Sequence, residues 1–333
     1  MTCVDVYFTI RGAPLSELRA QVHWIEAHGG AGVMAADHLF VGGGVPRQQA
    51  RRGFDPLVVL SAVAPLSERL QVGTSVSNIG LLHPALVLRQ FAQLAELIGG
   101  QRVFAGLGAG WNREEFDALG MRMPPFSERM ERLEEAAKLA RELFDRGSAS
   151  LEGSHVVARE LPLSPLPQVP PRLFLGGGSD RLLDIAGRYA DMLDLNGTSS
   201  AGALRGQNLP RADIQRRMST TVSGLERSVK RVQAAASAAG RQANAVAFSL
   251  LINHVIFCDE QQRDEEANRI RTSIGLEPGS LDECPYVLIG EPERMVDRLR
   301  ERQSRLGIRA LLLVSSIAPE TSARLMSEVI ARL

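Results

Sequence analysis

Apolar segments and segments with helical spacing alternate along the whole chain. The apolar segments are short, rich in β-branched residues and bounded by glycine, proline or polar residues, which is typical of buried strands. They cover residues 4–10, 32–36, 70–76, 102–111, 172–175, 192–195, 246–258 and 310–314. Strands separated by helices favour a parallel sheet with helical crossovers.

Eight such strands in one chain of 333 residues predict an α/β fold, a (β/α)8 TIM barrel. Residues 1–333 then form one domain with two insertions. The first, about residues 146–171, is polar and proline-rich and is expected to form a β-ribbon, and the second, about residues 197–220, has no clear period and is expected to be an irregular segment or lid. A doubly wound open sheet is the alternative. It normally has fewer strands, and it has a switch point that this sequence does not show.

The charge and cysteine content exclude several classes of function. Lysine and arginine number 38, as do aspartate and glutamate, so no basic field favours nucleic acid or anionic lipid. The three cysteines lack metal-ligand spacing, which indicates a reducing compartment and no metal site. No apolar run has membrane-spanning length and no signal peptide is evident, so we expect a cytoplasmic protein with a small-molecule substrate.

Three glycines at alternate positions, Gly106, Gly108 and Gly110, end the fourth apolar segment. In a dinucleotide-binding fingerprint, the third glycine follows the first by five residues, but Trp111 occupies that position here. The other interpretation is the carboxyl end of a barrel strand, where such barrels bind their ligands. The loop of Gly108, Ala109 and Gly110 is therefore a candidate binding site.

A second glycine cluster, Gly176, Gly177 and Gly178, precedes a predicted helix. Free backbone N–H groups and the helix dipole at a helix N-terminus favour a phosphate. The alternative is a tight turn without a ligand.

His38 is the best titratable candidate, because it lies at a predicted strand end and an imidazole can exchange a proton near neutral pH. Asp37 beside it can orient the ring or contact a cofactor. The alternative is a structural histidine that only hydrogen-bonds to its neighbours at the strand ends. A separate feature is the helical segment 126–145, whose acid–arginine pairs predict a solvated face.

Several segments, taken in order over nearly the whole chain, resemble the bacterial luciferase-like family of flavin and deazaflavin oxidoreductases. The segments that carry this resemblance are ADHLF, DPLVVLSAVAPLSERLQVGTSV, HPALVLRQFAQL, RVFAGLGAGWNREEF, FSERMERLEEAAKLARELF, GGGS, GRYADMLDLNG and GEPERMVDRLRERQSRLGI. Within the family, the GGGSDRLLDIAGRYADMLDLNG and CPYVLIGEPERMVDRLRERQSRLGI segments resemble the branch that depends on the deazaflavin coenzyme F420. The resemblance implies a (β/α)8 barrel, in agreement with the strand count.

The resemblance also implies roles for individual residues. Ser75 and Val76 match the position of a non-proline cis peptide bond behind the redox ring, and Asp37 and His38 match an acid–histidine pair beside that ring. The remaining matches are to cofactor-binding positions, with Phe8 and Trp111 expected in the substrate pocket. These cofactor-binding positions are Gly108, Ala109, Gly110, Gly176, Gly177, Gly178 and Asn196, and Asn78, at the end of the third predicted strand, is expected to join them.

One departure from the family pattern concerns the proton donor. The family's sugar-phosphate dehydrogenase has a glutamate just after the glycines of strand four, where this chain has Trp111. Tryptophan cannot donate that proton, which indicates a more apolar substrate.

The expected function is therefore F420-dependent hydride transfer to or from an activated C=C, C=N or C=O group, with His38 as the catalytic residue. The alternatives are a monooxygenase that uses reduced FMN and a barrel that binds flavin without catalysis. Family members are often dimers, so a homodimer is expected.

Overall fold

The computed structural model describes residues 4–41, 51–197 and 209–333. Eight parallel strands form one closed barrel, because β4 pairs with both β3 and β5, and β8 pairs with both β7 and β1. The predicted (β/α)8 TIM barrel is confirmed. The strands are β1 Asp5–Ile10, β2 Gly32–Ala35, β3 Gln71–Thr74, β4 Val103–Gly108, β5 Arg172–Gly177, β6 Met192–Leu195, β7 Ala247–Ile252 and β8 Ile308–Leu313.

Helices surround the barrel, and local capping explains where several of them begin. Asp55 accepts hydrogen bonds from the backbone N–H groups of Leu57 and Val58, and Pro56 occupies the first helical position. The helices are α1 Leu15–Ala27, α2 Pro56–Val63, α3 Pro84–Ile98, α4 Arg113–Ala118, α5 Phe126–Arg146, α6 Asp180–Tyr189, α7 Leu209–Met218, α8 Val222–Ala238, α9 Glu260–Ser273, α10 Pro292–Leu306 and α11 Pro319–Glu328.

A cluster of large side chains fills the barrel interior. Its fully buried members include Tyr7, Met34, Phe104 and Phe174, and the rings of Tyr7 and Phe104 meet edge to face with centroids 5.7 Å apart. This cluster closes the interior, so a ligand can enter only at an end of the barrel.

The first insertion is an antiparallel β-ribbon, Ser148–Glu152 with Val157–Pro162, as predicted. The Glu135 carboxylate on α5 accepts hydrogen bonds from the backbone N–H groups of residues 154, 155 and 156 at 2.7–2.9 Å. One acidic side chain thus fixes the ribbon turn against α5.

Two arginines of α5 likewise bind backbone carbonyls. Arg129 donates to the carbonyl of Gly110, and Arg132 Nε donates to the carbonyl of Ile79 at 3.0 Å. The prediction of a solvated charged face on this helix was therefore wrong for Arg129 and Arg132, whose side chains hydrogen-bond to the segments that follow β4 and β3.

The predicted long strand 246–258 is divided at Asn253, which is a second correction. β7 ends at Ile252, and the backbone N–H of Asn253 donates to the carbonyl of Tyr286 at 2.8 Å. His254–Phe257 then pairs with Val287–Gly290 in a separate parallel pair. The chain leaves the barrel because residues 254–257 hydrogen-bond to a strand outside it.

The second insertion contains the regular helix α7, where the sequence predicted no regular structure. Residues 198–208 of this insertion lie outside the described residues. Within the described ranges, no helix is both long and apolar enough to cross a membrane, and no three His, Cys, Asp or Glu side chains are grouped as metal ligands.

Candidate active site

His38 lies just beyond the carboxyl end of β2, where it contacts a buried carboxylate. Its Nδ1 is 2.9 Å from Oε1 of Glu115, which is 1% exposed, and the same oxygen accepts the backbone N–H of Leu39 at 3.1 Å. Since a carboxylate only accepts, Nδ1 carries the hydrogen and donates it. No described residue hydrogen-bonds to Nε2, so this nitrogen is the one available for proton exchange.

Trp111, which the sequence predicted in the substrate pocket, lies beside this pair. Its ring meets the His38 ring edge to face, with centroids 5.5 Å apart, and 46% of the residue is exposed. Phe8 is not brought to this place. It faces the helix layer, where its ring meets that of Trp24 on α1 with centroids 5.6 Å apart.

Asp37 connects the end of β2 to the segment after β3. Its Oδ2 accepts the backbone N–H of Asn78 at 2.8 Å. Burial raises the pKa of Asp37 above its usual value, and the hydrogen bond from Asn78 opposes that shift. In the segment between β3 and Asn78, the Ser75–Val76 peptide bond is cis, as the resemblance implied.

The three alternate glycines of β4 and its loop face three alternate residues, the last residue of β3 and two in the segment that follows it. A Cβ on Gly106 would lie 1.8 Å from Thr74 O, one on Gly108 2.3 Å from Val76 Cγ2, and one on Gly110 2.3 Å from Asn78 Oδ1. Atoms of the protein itself therefore fill the space that side chains at these glycines would occupy. They allow Val76 and Asn78 to occupy the carboxyl end of the barrel beside β4.

The second glycine cluster lies on the other side of Val76. A Cβ on Gly176 would have only ordinary contacts, 3.5 Å from Val76 Cγ1 and 4.0 Å from Asp194 Cβ, whereas one on Gly178 would lie 2.2 Å from the Asn196 carbonyl oxygen. Gly177 has φ +151°, a conformation that favours glycine. Val76, the Gly176–Gly178 loop and Asn196 are thus neighbours, as a common cofactor site requires.

Asp194 is a buried acid at this position that the sequence interpretation did not include. It is 3% exposed, pairs with Gly176 across β5 and β6, and accepts Ser249 Oγ at 3.1 Å. Burial raises its pKa to about 6, while the Arg217 charge and hydrogen bonds from Ser249 and Asn196 oppose the shift.

Sequence reasoning missed two functional candidates, Glu115 and Asp194. Glu115 follows Asn112, whose side chain caps α4, so its place in the first helical turn was visible. Its contact with a histidine 77 residues earlier was not. Asp194 interrupts an otherwise apolar strand, and this lone charge was the available signal.

The fold and this arrangement define a (β/α)8 barrel with a candidate ligand site at the carboxyl ends of its strands. The family model described as luciferase-like monooxygenase matches residues 4–309. The chain belongs to that family.

Curated relatives match part of the chain. An F420-dependent glucose-6-phosphate dehydrogenase of Amycolatopsis mediterranei is 32% identical over 136 residues, 40% of each chain. An F420-dependent hydroxymycolic acid dehydrogenase of Mycobacterium tuberculosis is 35% identical over 161 residues, 48% of this chain and 43% of that protein. The pyrimidine monooxygenase RutA of Escherichia coli is 27% identical over 139 residues, 41% of this chain and 36% of that protein. The chain thus spans about two fifths of the length of the curated relatives it matches.

Solved structures match over nearly the full length. An F420-dependent secondary alcohol dehydrogenase in complex with an F420–acetone adduct has a TM-score of 0.74 at 19% identity, covering 99% of both chains. A long-chain alkane monooxygenase has a TM-score of 0.72 at 14% identity, covering 100% of this chain and 91% of that one. At these identities, the likeness shows the fold alone.

Proposed function

We propose that this chain is a coenzyme F420-dependent oxidoreductase that transfers hydride between the deazaflavin and an activated C=C, C=N or C=O group of a small or medium-sized organic substrate. The observation that carries the proposal is the pairing of His38 with the buried Glu115 at the mouth of the barrel. Such a pair can exchange a proton with the substrate while hydride is transferred between the substrate and the coenzyme. The choice of coenzyme is supported by the relatives whose names specify F420.

The residues at the mouth fit a flavin-like ring with a phosphate-bearing side chain. Val76 offers an apolar contact for the ring, and Gly176 next to it leaves room, since a Cβ there would meet only ordinary van der Waals contacts. Asn78 and Asp37 supply polar groups at the opposite edge. Asn196 Oδ1 is buried and accepts no hydrogen bond from a described residue, so a bound group with a donor would satisfy it.

When bound, the deazaflavin supplies the carbon that accepts or donates hydride. Around it, His38 Nε2 would take a proton from a substrate hydroxyl during oxidation, or return one during reduction. Glu115 holds the imidazole by its Nδ1 hydrogen and stabilises the ring when it is protonated. Trp111, which is half-exposed next to His38, would cover an apolar part of the substrate and exclude water.

Replacing His38 with alanine tests its role. We expect turnover to fall by roughly 10²- to 10⁴-fold, the usual contribution of a general acid or base, with little change in F420 affinity. Turnover is followed by the deazaflavin absorbance with glucose-6-phosphate, secondary alcohols and their ketones as trial substrates. His23→Ala, an exposed histidine on α1, is the control. Turnover unchanged by the His38 substitution would remove that residue from the mechanism.

The second candidate function is oxygenation with reduced FMN, and the RutA similarity favours it. Oxygen consumption with reduced FMN, coupled to substrate oxidation and absent with reduced F420, would replace our proposal with this one.

A further inference from the structure

The Asn196 side chain lies at the carboxyl end of β6 with one half of its amide engaged. Its Nδ2 donates to Asp194 Oδ2 at 3.2 Å, and its Oδ1, although buried, receives no hydrogen bond from the part of the chain that the structure describes. Buried polar atoms in proteins are normally paired. An unpaired acceptor at a ligand site therefore points to a donor on the ligand.

The orientation of this amide is fixed by its neighbours. Asp194 also accepts Ser249 Oγ at 3.1 Å and the backbone N–H of Leu251. Turning the amide over would place its oxygen against a carboxylate oxygen, and two acceptors repel each other. Asp194 and Ser249 thus keep Oδ1 directed away from the carboxylate.

The position of the amide relates it to two parts of the cofactor site. Asp194 pairs with Gly176, and a Cβ on Gly176 would lie between Val76 Cγ1 at 3.5 Å and Asp194 Cβ at 4.0 Å. The backbone N–H of Asn196 donates to the Gly177 carbonyl at 3.3 Å. Asn196 therefore adjoins the loop that suits a phosphate, and it follows by two residues Asp194, which borders the space beside Val76.

In flavins and deazaflavins alike, the group between the ring and the phosphate is a ribityl chain, whose hydroxyls are hydrogen-bond donors. We propose that Asn196, positioned by Asp194 and Ser249, accepts a hydrogen bond from a ribityl hydroxyl of the coenzyme. The inference rests on the proposed function only in requiring a ribityl coenzyme, since F420 and FMN both carry this chain.

Paired probes test this inference. We compare the dissociation constants of 5-deazariboflavin and of a 10-methyl-5-deazaflavin, which lacks the ribityl chain, by fluorescence titration of the wild-type protein and Asn196→Leu. Loss of one hydrogen bond should weaken the ribityl probe by roughly 3- to 10-fold and leave the methyl probe unchanged. If the wild type prefers FMN, riboflavin and lumiflavin replace these probes.

Ser228→Ala is the matched control, because the Ser228 hydroxyl is also buried without a partner among the described residues but lies on α8. Its ratio of the two affinities should equal that of the wild type. If Asn196→Leu does not fold, Asn196→Ser, which withdraws the polar group, provides the same comparison. An unchanged ratio in the Asn196 variant overturns the inference, whereas a preference of the wild type for FMN overturns the F420 proposal alone.

Discussion

At the scale of single residues, the site depends on two buried carboxyl groups with different surroundings. Glu115 directly faces a partner that can become cationic, His38, at 2.9 Å. Asp194 is held by neutral donors, Ser249 and Asn196, and burial dominates its pKa. In the proposed function, the first group orients a proton carrier, and the second orients a binding group.

Replacing Glu115 with glutamine should lower turnover by about 10-fold or more, because the neutral amide stabilises a protonated His38 less well than a carboxylate does. Coenzyme affinity should change little, since Glu115 contacts His38 and Leu39. Steady-state kinetics and a coenzyme titration measure both. Glu114→Gln, its exposed neighbour on α4, is the control. Equal activity of the two variants would contradict the positioning role.

Asp194 predicts a pH dependence of stability. Its folded-state pKa of about 6 lies above the ordinary value of 3.8, so the folded state binds the proton more tightly than the unfolded state. This contribution is present below the ordinary value and is lost as pH rises through about 6, by roughly 3 kcal/mol in all. Urea unfolding at about pH 4.5 and pH 8 should therefore show that the wild type is less stable relative to Asp194→Asn at the higher pH than at the lower. A constant difference between the two proteins would contradict the buried-acid account.

At the scale of elements, the mouth is built where β4 meets the segment after β3. The sequence predicted that Gly106, Gly108 and Gly110 admit a ligand. In the structure they admit Thr74, Val76 and Asn78. The spacing of the glycines alone cannot distinguish an approaching ligand from a neighbouring stretch of the protein. The facing residues also alternate with a period of two, but they can be identified only once the strand register is known.

Replacing Gly108 with alanine tests this fit between strands. The new Cβ would lie 2.3 Å from Val76 Cγ2, so Val76 must move, at a cost of roughly 1–3 kcal/mol in stability. Coenzyme affinity should fall as well, because Val76 is the proposed contact of the ring. Thermal unfolding and a coenzyme titration measure both effects.

Gly224→Ala on α8 is the control, since its Cβ would come no closer than 3.4 Å to Thr221 Oγ1. Helical alanine is favoured over glycine by roughly 0.5–1 kcal/mol, so this variant should be as stable as wild type or more so. Unaltered stability and coenzyme affinity in the Gly108 variant would show that the position of Val76 does not depend on the absence of a side chain at residue 108.

The charged helix α5 shows a second limit of sequence reasoning. Its alternating charges suggested solvent exposure, yet Arg129, Arg132 and Glu135 bind backbone groups of the loops and the ribbon around it. Charge pairs at helical spacing and charges that bind distant backbone have the same sequence pattern. Only the fold shows which backbone groups lie within reach.

At the scale of the whole molecule, the order of strands and helices was readable because each strand is a buried apolar run followed by a helix. All eight barrel strands lie within predicted segments or overlap them. The break at Asn253 and the pairing of Val287–Gly290 were not readable, since an apolar run does not reveal which strand it joins. Contacts between distant segments, such as His38 with Glu115, escaped prediction for the same reason.

The choice of coenzyme is also a property of the whole molecule, because the barrel alone is shared by F420-dependent and oxygenating proteins with TM-scores of 0.74 and 0.72. The most direct test is a titration of the purified protein with F420 and FMN side by side, followed by fluorescence. We predict a micromolar or lower dissociation constant for F420 and at least about 10-fold weaker binding of FMN, a difference of about 1.4 kcal/mol. Tighter binding of FMN than of F420 would contradict the account.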